Sequence, residues 1–332
     1  MSVVVFAGEG WKRGLMQSEP VTREVNTPAT YLGSGPYCYA NSVAMAMGEG
    51  APAIGLLETV TGSPFGMQIL GDALFFDPNG WTPEIGIDEA LDALGWTVTK
   101  TSGAPEAEAV ARLREACGRG PVVIGPLEMG HLRHQPGMNG PIGADHYIVV
   151  LEVDDEGVTA HDPQGYPFTR IALGDLVAAW RAESIDYGQP FTMYTDFVRV
   201  RDVGEAEAVT ACLPAAHRRL TAEPVENADA GAALGLARTL DSGCDPGLRG
   251  LLTGFSVRAG ARRTADAASC LARAGYGEAA GIVGEQARLI GSLQRALVVG
   301  EDAGAAAVLR ALAPTYSRLG SAIGAVVNAR QH

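Results

Sequence analysis

The pattern of hydrophobic and polar positions predicts a mixture of helices and strands in the first part of the chain. Apolar residues at helical spacing predict helices over residues 38–48, 51–62, 88–94, 105–117 and 171–182. Alternating or β-branched apolar runs predict strands over residues 96–101, 121–124, 146–153, 158–163 and 191–200. Strands and helices interleaved in this way are typical of an α+β domain.

The pattern changes near residue 205, where strand signals vanish and alanine, glycine, leucine and arginine dominate. Helical periodicity then predicts helices near residues 227–240, 246–259, 261–274, 278–299, 301–312 and 314–330. We therefore expect an α+β domain over residues 1–204 and an all-helical domain over residues 205–332.

The clearest local motif is a β-hairpin between His146 and Pro163. Its two apolar, β-branched runs flank a turn that ends in glycine, the usual arrangement for a short loop with a left-handed residue. If residues 155–157 form a three-residue loop, Asp154 faces Val158 and the numbers of directly opposed residues add up to 312.

This register decides which polar side chains of the hairpin share a face. His146 and Asp162 would lie on one side, while His161 would point to the other. The register also places Asp162 opposite Val150, roughly 13 Å along an ideal strand from His146. Contact between His146 and Asp162 therefore requires a bulge or a sharp bend.

Cys38 stands at the start of the first predicted helix, after the turn-forming run Gly33–Pro36. The N–H groups and the dipole at a helix N-terminus favour a thiolate and can also hold an oxyanion. Taken alone, Cys38 fits a packing residue equally well, because free cysteines are commonly buried. The order Cys38, His146, Asp162 changes this balance, since papain-like enzymes place nucleophile, base and orienting residue in that order.

Two stretches, GPYCYANS and GADHYIVVLEVDDEGVTAHDP, resemble the bacterial C39-peptidase-like group of the papain-like cysteine protease superfamily. They are most similar to the N-terminal family of the butirosin-biosynthesis protein H (BtrH). The resemblance covers about residues 30–200, and the helical remainder is similar to an extra domain that some members carry. It implies a papain-like fold with Cys38 as nucleophile, His146 as base and Asp162 as orienting acid.

The resemblance also implies a reaction. The type member moves an aminoacyl group from an acyl carrier protein onto an amine of a small metabolite. One residue departs from the papain-like pattern, because Leu32 stands where those proteases place a glutamine that donates to the oxyanion. Ser34 is the candidate substitute in the oxyanion hole, although a simple turn serine explains it as well.

Charge and cysteine content indicate the cellular compartment of the protein and argue against some classes of partner. The formal net charge of −13 argues against a nucleic acid or an anionic membrane as partner, since long-range attraction would be absent. Five widely spaced cysteines without a CxxC pair fit a reducing compartment, and neither a signal peptide nor an apolar membrane span is evident. We therefore expect a cytoplasmic protein. Arg258, Arg262 and Arg263 could receive the acidic surface of a carrier protein, although a solvated basic patch is the simpler interpretation.

We expect no metal and no cofactor. His131 and His134, together with His146 and Cys38, contain zinc-binding residue types, but the His131–His134 pair lies in a loop rich in glycine and proline without acidic supporting residues. The loop over residues 126–145 is better interpreted as a flexible rim over the active site.

Three functions remain open at the level of sequence. The leading hypothesis is a cysteine-dependent acyltransferase of natural-product biosynthesis, taking an acyl group from a carrier-protein thioester to an amine or to an internal nucleophile. The second is a peptidase or thioesterase that uses the same residues with water as acceptor. The third is a non-catalytic binding protein on a degenerate protease fold. Homodimerisation is left open in all three.

Overall fold

The computed structural model describes residues 36–71, 73–223 and 225–330. The helices are α1 (Cys38–Met47), α2 (Ile54–Val60), α3 (Pro83–Leu94), α4 (Glu106–Cys117), α5 (Leu173–Trp180), α6 (Glu205–Leu220), α7 (Asp229–Ser242), α8 (Pro246–Leu251), α9 (Val257–Arg273), α10 (Gly277–Val299) and α11 (Asp302–Ala329). The strands are β1 (Gln68–Leu70), β2 (Ala73–Phe75), β3 (Trp96–Thr101), β4 (Val122–Glu128), β5 (Asp145–Val153), β6 (Gly157–Asp162), β7 (Tyr166–Ala172) and β8 (Met193–Arg199). The protein is α+β, with antiparallel sheets and a helical C-terminal region, as the sequence pattern predicted.

A six-stranded antiparallel sheet forms the centre of the N-terminal part, in the order β3-β8-β4-β5-β6-β7. The short strands β1 and β2 form a separate hairpin. Strand β5 is central in the large sheet and pairs with β4 on one side and β6 on the other. The start of β5 pairs with β4, through Asp145 with Glu128 and His146 with Leu127, whereas pairing with β6 begins at Val149.

The two faces of this sheet pack against different helices. Ile148 of β5 belongs to a core that includes side chains of α4 and α5. Its neighbours Tyr147 and Val149 belong to a second core with α1, α2 and α3, because successive side chains of a strand point to opposite faces. Helix α1, with Cys38 at its start, therefore packs against the strand that begins at Asp145.

The hairpin of β5 and β6 forms where the sequence predicts it, but its register is different. Val150 pairs with Ala160, so the opposed numbers add up to 310 in this part of the hairpin, and not to 312. A register shift between Val150 and Glu152 separates this part from the pair Val153–Val158 near the turn. The predicted pairing of Asp154 with Val158 is wrong by one residue, because Val153 faces Val158, and the bulge shifts the register by one residue more. Together these two shifts move the position opposite Asp162 two residues closer to His146.

One hydrophobic core extends across the predicted domain boundary. The core around α1 and α2 includes side chains from the helices after residue 204, among them Leu213 of α6, Leu271 of α9 and Ile323 of α11. The division into residues 1–204 and 205–332 stays a prediction, and apolar packing joins the two parts.

The sequence pattern was wrong in several places. It missed the strands β1 and β2, and it placed the start of α3 at residue 88 when the helix begins at Pro83. The helix predicted over residues 171–182 begins only at Leu173, because the preceding residues form β7, an edge strand whose side chains are mostly exposed. Helix α6 was missed, and it contains Pro214 in its interior. The last two predicted helices are one helix, α11, which continues through Pro314; burial of flanking side chains such as Leu312 and Tyr316 offsets the ~3 kcal/mol that an interior proline costs.

Among the residues that the structure describes, no helix is both long enough and apolar enough to span a membrane.

Candidate active site

Cys38 is the first residue of α1 and is half-buried. The preceding residue, Tyr37, provides no side-chain cap for the helix, so its side chain satisfies none of the first-turn N–H groups. The Ser42 hydroxyl donates to the Tyr147 carbonyl at 3.2 Å and ties α1 to β5. The nucleophile candidate thus sits at an uncapped helix N-terminus that is anchored to the strand carrying His146.

His146 and Asp162 meet as the chain order suggests. Nε2 of His146 lies 2.8 Å from Oδ1 of Asp162, and both side chains are buried, with exposed fractions of 1% and 0%. The ring also interacts with the Cys38 thiol, and this interaction acts to raise the pKa of His146. Because Nε2 faces the carboxylate, Nδ1 is the ring nitrogen left for the thiol. The structure therefore brings all three predicted residues together.

The Asp162 carboxylate is a shared acceptor. Its Oδ2 accepts from Nε2 of His134 at 2.7 Å and from the Gln135 amide at 2.7 Å, while Oδ1 also accepts from the backbone N–H of Gln164 at 2.8 Å. Burial acts to raise the pKa of Asp162, but the charge of His146 and these hydrogen bonds outweigh it and hold the pKa below its usual range. Asp162 is thus an anion at neutral pH.

The same contacts change the titration of His146. Burial acts to lower its pKa, but the Asp162 charge and hydrogen bond, together with the hydrogen bond to Cys38, raise it to about 10. The ring therefore carries a proton at neutral pH while it touches the sulfur. A protonated imidazole next to a thiol favours the thiolate, the reactive form of cysteine.

His134 and Gln135 are site residues that the sequence reasoning did not assign. His134 entered only as a weak zinc candidate, yet it is buried and lies edge-on to Tyr166 with ring centroids 5.4 Å apart. An HxxHQ run in a loop has no periodicity that links it to Asp162. No local signal could have found this contact, because it depends on how the loop folds back over the sheet.

Glu128 holds that loop in place. Strand β4 continues to Glu128, so the rim starts later than residue 126. The buried carboxylate accepts from the backbone N–H groups of Gly130, Ile142 and Gly143, each at 3.0 Å, and from the Ser184 hydroxyl. These bonds close the loop at both ends, and between them it carries His134 and Gln135 to Asp162.

The other sequence candidates lie elsewhere. His161 accepts from the Phe168 backbone N–H at its Nδ1, 3.0 Å away, and its ring packs edge-on against Phe168, which fits the preference for Asp162 over its neighbour. Leu32 and Ser34 lie outside the described residues, so the oxyanion prediction for Ser34 stays a prediction. Within the described ranges, no three histidine, cysteine or acidic side chains are grouped so that they could hold a metal ion.

All five cysteines are free thiols, and the four other than Cys38 share one property. Burial raises the pKa of Cys117 and of Cys212 to about 12, and it also raises the pKa of Cys244 and Cys270. These four thiols are therefore protonated and unreactive at neutral pH, as expected of packing residues.

The raised pKa of these four thiols predicts selective labelling of Cys38. Iodoacetamide at pH 7 should modify the native protein once, at Cys38. Cys117 and Cys244 are also half-buried, but burial raises the pKa of both, whereas Cys38 lies beside a protonated imidazole. Peptide mass mapping after a short reaction checks the site. Protein unfolded in urea is the control and should take up label at all five cysteines. Native labelling that begins at Cys244, or that spares Cys38, would contradict the prediction.

The raised pKa of His146 also predicts how stability depends on pH. The folded protein binds this proton more tightly than the unfolded chain does. Protonated His146 therefore contributes fully to the free energy of unfolding below pH ~6.5, and this contribution is lost as pH rises through about 10. The free energy of unfolding should fall across this range more steeply than in His146→Gln, by at most about 1.4 kcal/mol per pH unit. Urea denaturation of both proteins from pH 6.5 to 10 measures the difference. Parallel curves would contradict it.

Comparison with known proteins gives two matches. Residues 223–324, which span α7 to α10 and most of α11, match the family described as YobF C-terminal domain. The chain is also similar to a Bacillus subtilis (strain 168) protein described as uncharacterized protein YobF, with 34% identity over 169 residues, or 49% of this chain and 54% of the relative. The match thus spans about half the length of the curated relative, and the family match falls within the helical C-terminal region.

Proposed function

We propose that this protein is a cysteine-dependent acyltransferase that works through an acyl-enzyme on Cys38. The supporting observation is the contact chain from the Cys38 sulfur to His146 and on to Asp162, with the cysteine at an uncapped helix N-terminus. A packing cysteine needs no protonated, carboxylate-oriented imidazole at its sulfur. A nucleophile does, because the base has to take its proton and later return one.

The proposed reaction has two halves. In the first, the Cys38 thiolate attacks the carbonyl carbon of an acyl thioester, and the N–H groups at the start of α1 face the developing oxyanion. The tetrahedral intermediate then collapses, the donor sulfur leaves with the proton of His146, and the acyl group remains on Cys38. In the second half, an amine attacks this thioester, His146 takes the amine proton, and Cys38 leaves as thiolate with an amide as product.

Asp162 keeps the imidazole in the productive orientation through both halves. Since Asp162 accepts from Nε2 of His146, the ring can turn neither away from the sulfur nor into the other tautomer. His134 and Gln135 bind the other carboxylate oxygen and restrict rotation of Asp162 itself. The chain thus supplies a base, its orienting acid and two side chains that hold the acid.

The architecture supports the papain-like part of the proposal. A helix that begins with the cysteine packs against an antiparallel sheet, and neighbouring strands of that sheet carry the histidine and the aspartate. This is the arrangement that the resemblance to the BtrH N-terminal family implies. We therefore propose that the protein is a papain-like enzyme of the C39-peptidase-like group.

The proposed donor is the thioester of an acyl carrier protein, and the proposed acceptor is a small amine or an internal nucleophile. Of the three arginines considered for carrier docking, Arg258 and Arg262 are exposed on α9. Arg263 is wrong for that role, since only 4% of it is exposed.

Intact-mass analysis tests the proposal. Incubation with an acyl-loaded carrier protein, or with an acyl thioester of N-acetylcysteamine, should add one acyl group to the protein, and peptide mapping should place it on Cys38. Adding a primary amine should then remove the adduct and yield the amide. Release of free acid at the same rate with and without amine would identify a hydrolase. No adduct from either donor, with Cys38 unreactive toward iodoacetamide, would favour the non-catalytic interpretation.

A further inference from the structure

Helix α9 of the C-terminal region contacts the residue before the nucleophile. The hydroxyl of Tyr37 donates to Oδ2 of Asp266 at 2.9 Å. The guanidinium carbon of Arg262 lies 4.3 Å from the centroid of the Tyr37 ring, a cation–π contact. Tyr37 is fully buried, so its ring is clamped between the core and α9.

The same helix also contacts the residue after the nucleophile. Nη2 of Arg263 donates to the Tyr39 hydroxyl at 3.0 Å, and Nε of Arg263 donates to Oε1 of Glu58 at 2.7 Å. The Tyr39 hydroxyl in turn donates to that same glutamate oxygen. Tyr39, Glu58 and Arg263 therefore form a closed triangle of hydrogen bonds next to the start of α1.

This triangle belongs to a buried charged network. Arg263 also donates to Oδ2 of Asp77 at 3.1 Å, and the other oxygen of Asp77 accepts from the Gln68 amide at 2.6 Å. The exposed fractions of Arg263, Glu58 and Asp77 are 4%, 0% and 6%. Buried ion networks of this kind add little stability compared with apolar packing, so their benefit has to be sought in the geometry that they impose.

The geometry is specific to Cys38. Residues 37 and 39 are its two neighbours, and α9 binds both through side chains at positions 262, 263 and 266. Tyr37 is the last residue before α1, so fixing it sets where the helix begins; fixing Tyr39 sets how the first turn is rotated. Together they determine the direction of the Cys38 sulfur relative to His146, where a misplacement of about 1 Å can cost about 100-fold in rate.

We propose that α9 is a positioning element for the nucleophile, with Arg263 acting through Tyr39 and with Arg262 and Asp266 acting through Tyr37. This role rests on the proposed function to the extent that Cys38 is the reactive thiol. It gives the helical C-terminal region, which carries all three α9 residues within the segment 223–324, a direct part in the chemistry. These side chains act through Tyr37 and Tyr39, so they position the nucleophile and do not react.

Native alkylation of Cys38 tests the proposal without a known substrate. The rate constant with iodoacetamide at pH 6.5 is measured by intact mass for wild type, Tyr39→Phe, Arg263→Met and Arg263→Lys, and each is divided by the rate in urea. We expect Tyr39→Phe and Arg263→Met to lower the native rate at least tenfold. Arg263→Lys should recover part of it, since an ammonium can still reach Glu58. Loss of stability alone would lower the unfolding temperature without slowing the native reaction.

Matched controls are available on the same helix and for the same substitution. Arg258→Met removes an exposed α9 arginine that donates to the Gly254 carbonyl, and alkylation by a small reagent does not depend on carrier docking. Tyr276→Phe removes a hydroxyl that contacts Thr210. Both should alkylate as wild type does. If Arg263→Met fails to fold, Tyr39→Phe still tests the positioning role, because it removes a single oxygen atom. A folded Tyr39→Phe with the wild-type rate overturns the positioning role alone, whereas a wild-type Cys38 with ordinary thiol reactivity overturns the proposed function and this role together.

Discussion

Replacement of Cys38 by alanine should abolish acyl-adduct formation and lower turnover of an acyl thioester by about 10⁶-fold, the loss seen when the nucleophile of a catalytic triad is removed. The reason is that no other thiol can take over the reaction. Cys117, Cys212 and Cys270 are packed within helices, and burial raises the pKa of each. The measurement is intact mass after incubation with the thioester, together with the rate of thiol release.

Cys244→Ala is the matched control for this substitution. Cys244 is also half-buried, but it follows α7 and contacts the backbone of Asp245, far along the chain from His146. It should form the adduct at the wild-type rate. An acyl adduct that persists in Cys38→Ala would show that another side chain is the nucleophile, and the assignment of the site would be wrong.

Replacement of Asp162 by alanine should give the second-largest loss, about 3 × 10⁴-fold in turnover, by analogy with removal of the orienting aspartate from a catalytic triad. The substitution removes the acceptor of four hydrogen bonds, whose donors are His134, His146, the Gln135 amide and the Gln164 backbone N–H. The carboxylate that raises the pKa of His146 would also be gone, so the ring would lose its proton at lower pH. Thioester turnover and the pH profile of Cys38 alkylation measure the two effects.

Asp162→Asn separates orientation from charge. The amide oxygen can still accept from Nε2 of His146, while the negative charge is removed. We therefore expect turnover between that of wild type and that of Asp162→Ala, with the pH profile of alkylation shifted as in the alanine variant. Wild-type turnover in a folded Asp162→Ala protein would show that His146 needs no orienting carboxylate, contrary to the proposed mechanism.

Part of the structure around this site could be predicted from the sequence, because it depends on local patterns of residues. The helix of Cys38 ends within about a residue of its predicted end, and β3 matches its predicted bounds. Both elements have strong periodicity and clear stop signals, and such signals act within a few residues of chain. The hairpin of β5 and β6 was equally visible, since turn residues separate two β-branched runs.

Other parts did not follow, for identifiable reasons. Strand β7 has few buried side chains, so it carries no apolar alternation and exists through backbone pairing with β6. Helix α11 continues through Pro314 because tertiary packing outweighs the local propensity. His134 reaches Asp162 through a loop whose path depends on the Glu128 carboxylate, a contact between residues with no regular spacing.

The sequence by itself determined the types and the order of the three candidate site residues: a cysteine at a helix start, a histidine at a strand start and an aspartate on the next strand. Their types and order are local facts that a single chain displays. Only the tertiary structure decided that they meet, because contact between His146 and Asp162 depends on a strand register that the bulge near Leu151 changes. It also decided that Tyr37 and Tyr39 are held by α9, more than two hundred residues away, since burial of a shared core brings distant helices together.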